Sequence, residues 1–592
     1  MIRRSLRVAG LMLPLTLLAL MVDMPIALAT TKVISDCSND NQLSSALIGG
    51  GTITFSCGTA TIVLSSTKTI SAPTTLDGGG LIKLSGNGAR QLFIVNSGAS
   101  LDLAHITLTK GNDTGNGGAI DNEGFLALDY STITSSTSSA SGGAIFSRGQ
   151  MDITGSTLAN NTAVSGGAIF ATGSSANITV SGSTLHDNHS TGTHGTSNTA
   201  GDGGGAIYLA QNAQVYVYSS DIYQNTAAAE GGAIKATDSG THLTVAAATT
   251  IHDDQATLKG GGVFNTATAD LSNTTLTGNI GGSPNQLGDG GGIYNYGTLT
   301  LTSVTMSGNK AYYGGAISNA FATMTLTNVT LSGNGDANTN DTGATAYAGA
   351  IDNFNATADL TNVTIAGNAA FSDDGGIFNE HVSSTPPYPT VLNLTNVLFV
   401  DNTPHNCGFG AAAPASSAGN VSTDGSCGFG GARDNATVAL GPLETNGGYT
   451  LTQRLLRGSI AIDDGTNTGA PTADQRGVSR PQGSVVDVGA VEFVPCTGVP
   501  TTKPTLVGPA SGAILNTTQP LLDWAGPDCA TKFKVIVRRG TASGTIVFSK
   551  TVFPASQVKT SALSRSTTYV WQVKACDAAG CLAGDRWTFR IK

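Results

Sequence analysis

The stretch YYGGAISNAFATMTLTNVTLSGN, residues 312–334, decides the fold. Met324 and Leu326 alternate with Thr325 and Thr327, the two-residue period of a strand with one buried face. Val329 and Leu331 alternate in the opposite parity, so the chain turns near Asn328. A second turn is expected at Ser332-Gly333-Asn334, and a third short strand at Ala316-Ile317 after Gly314-Gly315. Three short strands separated by turns make one coil of a right-handed parallel β-helix, each coil hydrogen-bonded to the next at about 4.8 Å.

Outward from this stretch the pattern recurs. Gly-Gly-Ala-Ile or a close variant places Ile or Val at 120, 145, 169, 207, 234, 263, 293, 317, 351 and 377. A Thr-rich alternating segment follows, and then a Leu/Ile/Met-x-x-Asn element ending at Asn161, Asn188, Asn225, Asn279, Asn309, Asn334, Asn368 and Asn402. A period of this size signals a solenoid. Inward Leu, Ile and Val would stack into one continuous core, outward Thr suits an exposed β surface, and Gly and Asn supply corner backbone angles. Asn recurring at one corner can form a ladder of side-chain amides. The Gly-Gly pairs are therefore corners rather than a phosphate-binding loop, and no nucleic-acid partner is expected.

Composition agrees. In 592 residues, 78 Gly with no every-third-residue period exclude collagen, and 40% hydrophobic residues give too much apolar surface for a disordered chain. Arg3, Arg4 and Arg7, an apolar run from Val8 to Val22, Pro25 and Ala27-Leu28-Ala29 have the three parts of a secretory signal peptide, so residues 1–29 are read as a signal and the mature chain begins near Thr30. No transmembrane segment is expected in the mature chain. Its eight cysteines fall as neighbours, Cys37 with Cys57, Cys407 with Cys427, Cys496 with Cys529 and Cys576 with Cys581. An even count in an exported chain, without CxxC spacing, favours disulfides over metal binding.

GGAI with FVDN (399–402) resembles the paired repeats of chlamydial polymorphic outer membrane proteins over residues 110–402. Those are adhesins that end in an autotransporter barrel, which this sequence lacks. AGNVSTDGSCGF, GPLETNGGYTLTQRLLRGSIAIDDG and ADQRGVSRPQGSVVDVGAVEF, within 418–493, resemble bacterial β-helix proteins with a choice-of-anchor Q domain; Gln453 departs from a His in that pattern. CSNDNQLSSALIGGGTITFSC looks like the N-terminal cap of such proteins, with 41–48 as a short helix plugging the first coil. Residues 30–109 are thus cap and first coils, 110–402 the repeats, and 403–496 the last coils and cap.

After Cys496 the repeat stops, three Pro (500, 504, 509) mark a linker, and Trp524, Trp571 and Trp587 occur. Alternation in KFKVIVRR, TYVWQVKAC and DRWTFRIK resembles a fibronectin type III module, with Trp524 on an early strand and Tyr569 opening the strand to Cys576. Charge divides at the same boundary: residues 497–592 hold 12 Lys/Arg against 4 Asp/Glu, a formal +8, and 30–496 hold 14 against 34, a formal −20. The fold class is all-β, a right-handed parallel β-helix of the pectin lyase-like kind with a C-terminal fibronectin type III-like β-sandwich.

The β-helix is also a fold of pectate lyases and polygalacturonases, but function must be argued from a site. Asp373-Asp374-Gly375 resembles the paired aspartates of polygalacturonases, making Asp373 and Asp374 the catalytic candidates. The family's other motifs are missing, and Arg590-Ile591-Lys592 lies in the wrong domain. Residues 149–432 contain no Arg and only Lys235, Lys259 and Lys310 to meet a uronate. Asp253-Asp254 and Asp373-Asp374 are candidates for binding Ca²⁺. His186, His189 and His194 share one inserted loop and are read as solvated, and Asp474, Arg476, Arg480 and Asp487 as salt-bridged structure closing the rod. The expectation is an exported, extracellular or cell-surface, non-catalytic protein, with the periplasm as the alternative location, an adhesin or carbohydrate-binding scaffold whose partner is an extracellular glycan or a cell-envelope surface. The alternative is a polysaccharide lyase or glycoside hydrolase of the pectin lyase-like fold.

Overall fold

The computed structural model describes residues 31–193, 202–283, 288–335, 348–371, 374–382, 390–410, 412–494, 499–500, 502–526, 530, 532–552, 556–577 and 579–592. The signal-like segment, Asp373, His194, Cys496 and Cys529 lie outside these residues.

The chain is an all-β parallel solenoid. One sheet takes a strand from each of 13 coils, a second sheet of 27 strands supplies two further sides of the coil, and a seven-stranded sheet of two-residue strands forms a fourth side in the middle coils. All pairings between coils are parallel; the repeat registers Ile120, Ile145, Ile169, Ile207, Ile234, Val263, Ile293, Ile317, Ile351 and Ile377 in one column. Every member is fully buried. Thr323–Ser332 of the opening stretch is one strand bent at Asn328, whose φ is 54°, and the bend moves the inward face from Met324 and Leu326 to Val329 and Leu331. An αL residue at that corner reverses the side-chain parity, as the alternation required.

Both ends of the solenoid are covered. Helix Asn41–Leu47 seats Leu43 in the first coil, and the Cys37–Cys57 disulfide ties its flanks. Lys32 Nζ donates to the carbonyls of Ala46, Ile48 and Gly50 at the end of that helix, where the axial dipole favours a cation. At the other end Cys407–Cys427 closes a turn that brings Phe409 and Phe429 onto the core, with the Phe429 ring 6.0 Å from Phe399.

Within the stretch read as last coils and cap (403–496), residues 436–493 run back along the flank of the rod. Thr305 Oγ1 donates to the Leu451 carbonyl, Asn328 Nδ2 to Ala473 O (2.8 Å), Thr330 Oγ1 to Gln475 Oε1 (2.6 Å), Asn362 Nδ2 to Asp487 O (3.1 Å) and Asn396 Nδ2 to Thr466 O (2.9 Å). Thr305, Thr330 and Thr364 are therefore buried although they point out of the coil, a departure from the outward-Thr expectation. Inside this strap Arg480 is paired with Glu492 at 2.6 Å, both fully buried, and Arg476 with Asp474 at 2.8 Å.

The last 90 or so residues form two small sheets, one of three strands (505–508, 521–525, 557–559) and one of five (513–515, 532–539, 546–552, 567–577, 580–591). Trp524 from the first and Tyr569, Trp571 and Phe589 from the second share one core. Cys576–Cys581 staples the hairpin between the last two strands. Two contacts, Arg454 to the Gly526 carbonyl and Arg457 to Asp577 at 3.9 Å, join these sheets to the strap, so the linker is not their only attachment.

Candidate functional site

Corner chemistry accounts for most of the polar residues that the sequence singles out. Asn161, Asn188 and Asn225 are stacked, each Nδ2 donating to the next residue's Oδ1 or Asp254 Oδ1 at 2.9–3.0 Å; Asn279, Asn309, Asn334, Asn368, Asn402 and Asn406 continue the ladder at 2.8–2.9 Å. Between the two runs the rung is Asp254, fully buried. It accepts from Asn225 N (2.8 Å) and Nδ2 (2.9 Å) through Oδ1, while Oδ2 has no partner. Burial drives its pKa well above the ordinary carboxylate range. Asp253 turns the other way: it sits at φ 56° with its carboxylate in solvent, 2.8 Å from His252 Nδ1. The two candidate calcium ligands thus face opposite sides of the coil wall.

Of the other pair, Asp374 is buried with Oδ1 3.6 Å from His405 Nδ1. His186 lies on the outer face with its ring stacked on Tyr223 (4.9 Å), which stacks in turn on His252 (5.0 Å), and His189 Nδ1 meets Thr226 Oγ1. Among the described residues no group of three or more His, Cys, Asp or Glu is arranged to hold a metal ion. Asp474, Arg476, Arg480 and Asp487 are brought together in the strap and joined by Glu492, which the sequence reading did not include. Asp487 is pushed up to about 7 by burial and by the Glu492 charge beside it.

Among the described residues, aromatic and charged side chains also cluster where sequence reasoning did not look: at the residue after each repeat Ile or Val. On the outer face of the 13-stranded sheet these positions register Asp121, Phe146, Phe170, Tyr208, Lys235, Phe264, Tyr294, Ser318, Asp352 and Phe378 in a single row. Phe146 and Phe170 stack at 5.5 Å, Phe170 and Tyr208 meet edge to face at 4.8 Å, and Phe264 stacks on Tyr294 at 5.3 Å. Lys235 fills the gap, its Nζ 5.1 Å from the Tyr208 centroid and 5.3 Å from that of Phe264. A desolvated ammonium between two rings gains roughly 2 kcal/mol from their quadrupoles. The row after the ladder corner runs alongside and pairs Glu230, Lys259, Asp289 and Tyr313 in order. Glu230 neutralises Lys235 at 3.0 Å, and Asp289 neutralises Lys259 at 2.7 Å.

Where the two rows meet, Lys259 Nζ also reaches the Tyr294 hydroxyl (3.2 Å), and Ser318 Oγ donates to Asp352 Oδ2 (3.3 Å). Burial, reinforced by the charges of Asp289 and Glu380, pushes Asp352 up to about 8. Burial opposes the Lys259 charge, but Asp289 more than restores it and its pKa lies above the ordinary lysine value. Asp352 therefore holds its proton more tightly than an ordinary carboxyl, while Asp289 is ion-paired with Lys259. No family model, curated protein or solved structure shows significant similarity to this chain.

Proposed function

We propose that the protein is an exported, non-catalytic right-handed β-helix rod that binds an extracellular glycan or cell-envelope surface, as an adhesin or carbohydrate-contacting scaffold does. The observation that carries this reading is the charge division: a formal +8 on residues 497–592 set against −20 on 30–496. A basic appendage on an acidic rod is drawn to anionic polymers that the rod itself repels. Three described disulfides support an oxidising, extracytoplasmic setting. The resemblances to polymorphic outer membrane protein repeats and to the choice-of-anchor Q segment point to the same surface role. A fibronectin type III-like reading of the C-terminal module is supported by Tyr569, whose hydroxyl accepts from Ser564 N (2.9 Å) and donates to Ser564 O (3.2 Å), the corner bond found in such sandwiches.

A second reading, a glycoside hydrolase or polysaccharide lyase, rests on the buried carboxyl of Asp352, held by Ser318 at 3.3 Å, in the same cluster as the Lys259–Asp289 pair. The ion pairs Lys259–Asp289 and Lys235–Glu230 weigh against it, because they occupy the carboxylates that would act as base. One experiment separates the two: the mature chain on a glycan array at low and high salt, with reducing-sugar and unsaturated-product assays on every glycan retained. Retention of acidic glycans without product supports the scaffold; product formation supports the enzyme.

A further inference from the structure

Resting on that reading, the geometry points to one face of the C-terminal module as the binding site, and to a polyanionic polysaccharide as its ligand. In the five-stranded sheet Val535, Val537, Trp571, Val573 and Phe589 face the core, so the residues between them face out. Those outward positions on three adjacent strands are Lys532, Lys534 and Arg538, then Lys574, then Arg586 and Arg590. None of the six is paired with a carboxylate among the described residues. The nearby acids are engaged elsewhere, Asp577 with Arg457 and Asp585 with Lys503.

Lys534 and Lys574 stand directly opposite each other in the antiparallel register. Like charges at such a pair destabilise a sheet, so the face sacrifices strand pairing for positive potential. Ile536 and Val570, both nearly buried, floor its centre, and Gln572 is hydrogen-bonded to the Gly584 carbonyl. From Lys532 to Arg538 the strand advances about 20 Å, and three strands span about 10 Å, a strip for an extended chain rather than a pocket for one small anion. The outward positions carry no aromatic ring on which nucleobases could stack, which favours a polysaccharide over single-stranded nucleic acid. Arg586 and Arg590 provide planar forks suited to carboxylate or sulfate oxygens, and Arg538, whose Nη1 donates to the Gly544 carbonyl (2.9 Å), adds its charge to the strip.

The test uses the full mature chain on beads bearing polygalacturonate, dextran sulfate or neutral dextran, at low and high salt. Lys534→Glu/Lys574→Glu should weaken retention on at least one acidic polymer about tenfold or more, the loss expected from even one or two charge-assisted contacts. Lys550→Glu/Lys559→Glu changes net charge equally away from this face and should retain nearly wild-type binding. Lys574→Glu alone places opposite charges across the strand pair, so it should raise the melting temperature of the module while lowering retention, which a purely structural lysine would not do. Preference for polygalacturonate assigns carboxylates, and preference for dextran sulfate assigns sulfate esters. Equal loss in both double variants, retention indifferent to salt, or single-stranded DNA bound as tightly as polysaccharide would overturn the site. Unchanged retention in both double variants would also overturn it; the broader proposal would still stand if removing residues 497–592 abolished binding.

Discussion

Asp254→Asn is the perturbation whose outcome follows most directly from the geometry. Elsewhere in the ladder, a rung's amide N–H₂ donates both to the next Oδ1 and to a carbonyl of the preceding coil, as Asn279 does to Asn309 Oδ1 (2.9 Å) and Ile251 O (3.0 Å). Asp254 has no N–H₂, and its buried Oδ2 has no hydrogen-bond partner, so burial favours the neutral carboxyl there. The fold therefore binds a proton that the unfolded chain, with an ordinary Asp pKa of about 3.9, releases. Because the folded pKa is the raised one, the stabilising contribution is complete below about pH 4. It is lost as pH rises toward the folded value, at about 1.4 kcal/mol per pH unit.

Asparagine removes this linkage and restores the donor pair. Near pH 4 the two proteins should differ by about 1 kcal/mol, the net value of a hydrogen bond. The variant's advantage should then widen with pH at about the stated slope. Urea melts across that range report the global effect. Hydrogen exchange at Asn225, Asp254 and Asn279 reports the local one, which matters because solenoid coils can open separately. A pH-independent difference, or a less stable asparagine variant at neutral pH, would refute the neutral-carboxyl argument.

Leu326→Asp should be destabilising by several kcal/mol in a urea melt because it buries a lone charge in the stacked core, whereas Thr325→Asp, one residue away and outward-facing, should cost about 1 kcal/mol or less, the repulsion from Asp359 in the next coil. Glu492→Gln leaves Arg480 buried beside a neutral amide and should cost about 3–5 kcal/mol, read as faster hydrogen exchange confined to residues 436–493. Asp352→Asn should make stability less sensitive to pH between about 4 and 8: the native carboxyl, with its pKa raised to about 8, forfeits stability as pH climbs through that window. Asp373→Asn with Asp374→Asn should leave any polysaccharide-cleaving activity intact; its loss with the fold preserved would favour the enzyme reading.

The coil was legible because its apolar residues are periodic and local: Met324, Leu326, Val329 and Leu331 specify both strand faces and the turn between them. The ladder was legible from its Asn residues, yet Asp254 escaped because a charged residue type reads as solvated until its burial is seen. The aromatic row escaped for a related reason. Exposed Thr dominates the outward positions of the neighbouring strands, although GGAIF, GGAIY and GGIY repeat an aromatic after the core residue at 146, 170, 208 and 294. The strap depends on contacts between residues about 145 positions apart, such as Asn328 with Ala473, which no local period encodes. Its sequence trace is Asn-Val at 328–329, 362–363 and 396–397, where the coils between 131 and 274 carry Ser or Thr second, as at Ser131 and Ser220.

The central claim is that the basic module, and not the acidic rod, holds the protein to an anionic surface. Its direct test is a pull-down on bacterial envelopes or acidic polysaccharide. The mature chain is compared, at low and high salt, with a chain stopped after Cys496 that carries Cys496→Ser. Circular dichroism should first establish that the shortened solenoid is folded. Attraction between exposed charges is screened over about 8 Å at physiological ionic strength. The full chain should therefore be retained at low salt and released at high salt, and the shortened chain should not be retained at either. Equal retention of the shortened chain, or retention of the full chain indifferent to salt, would contradict the claim.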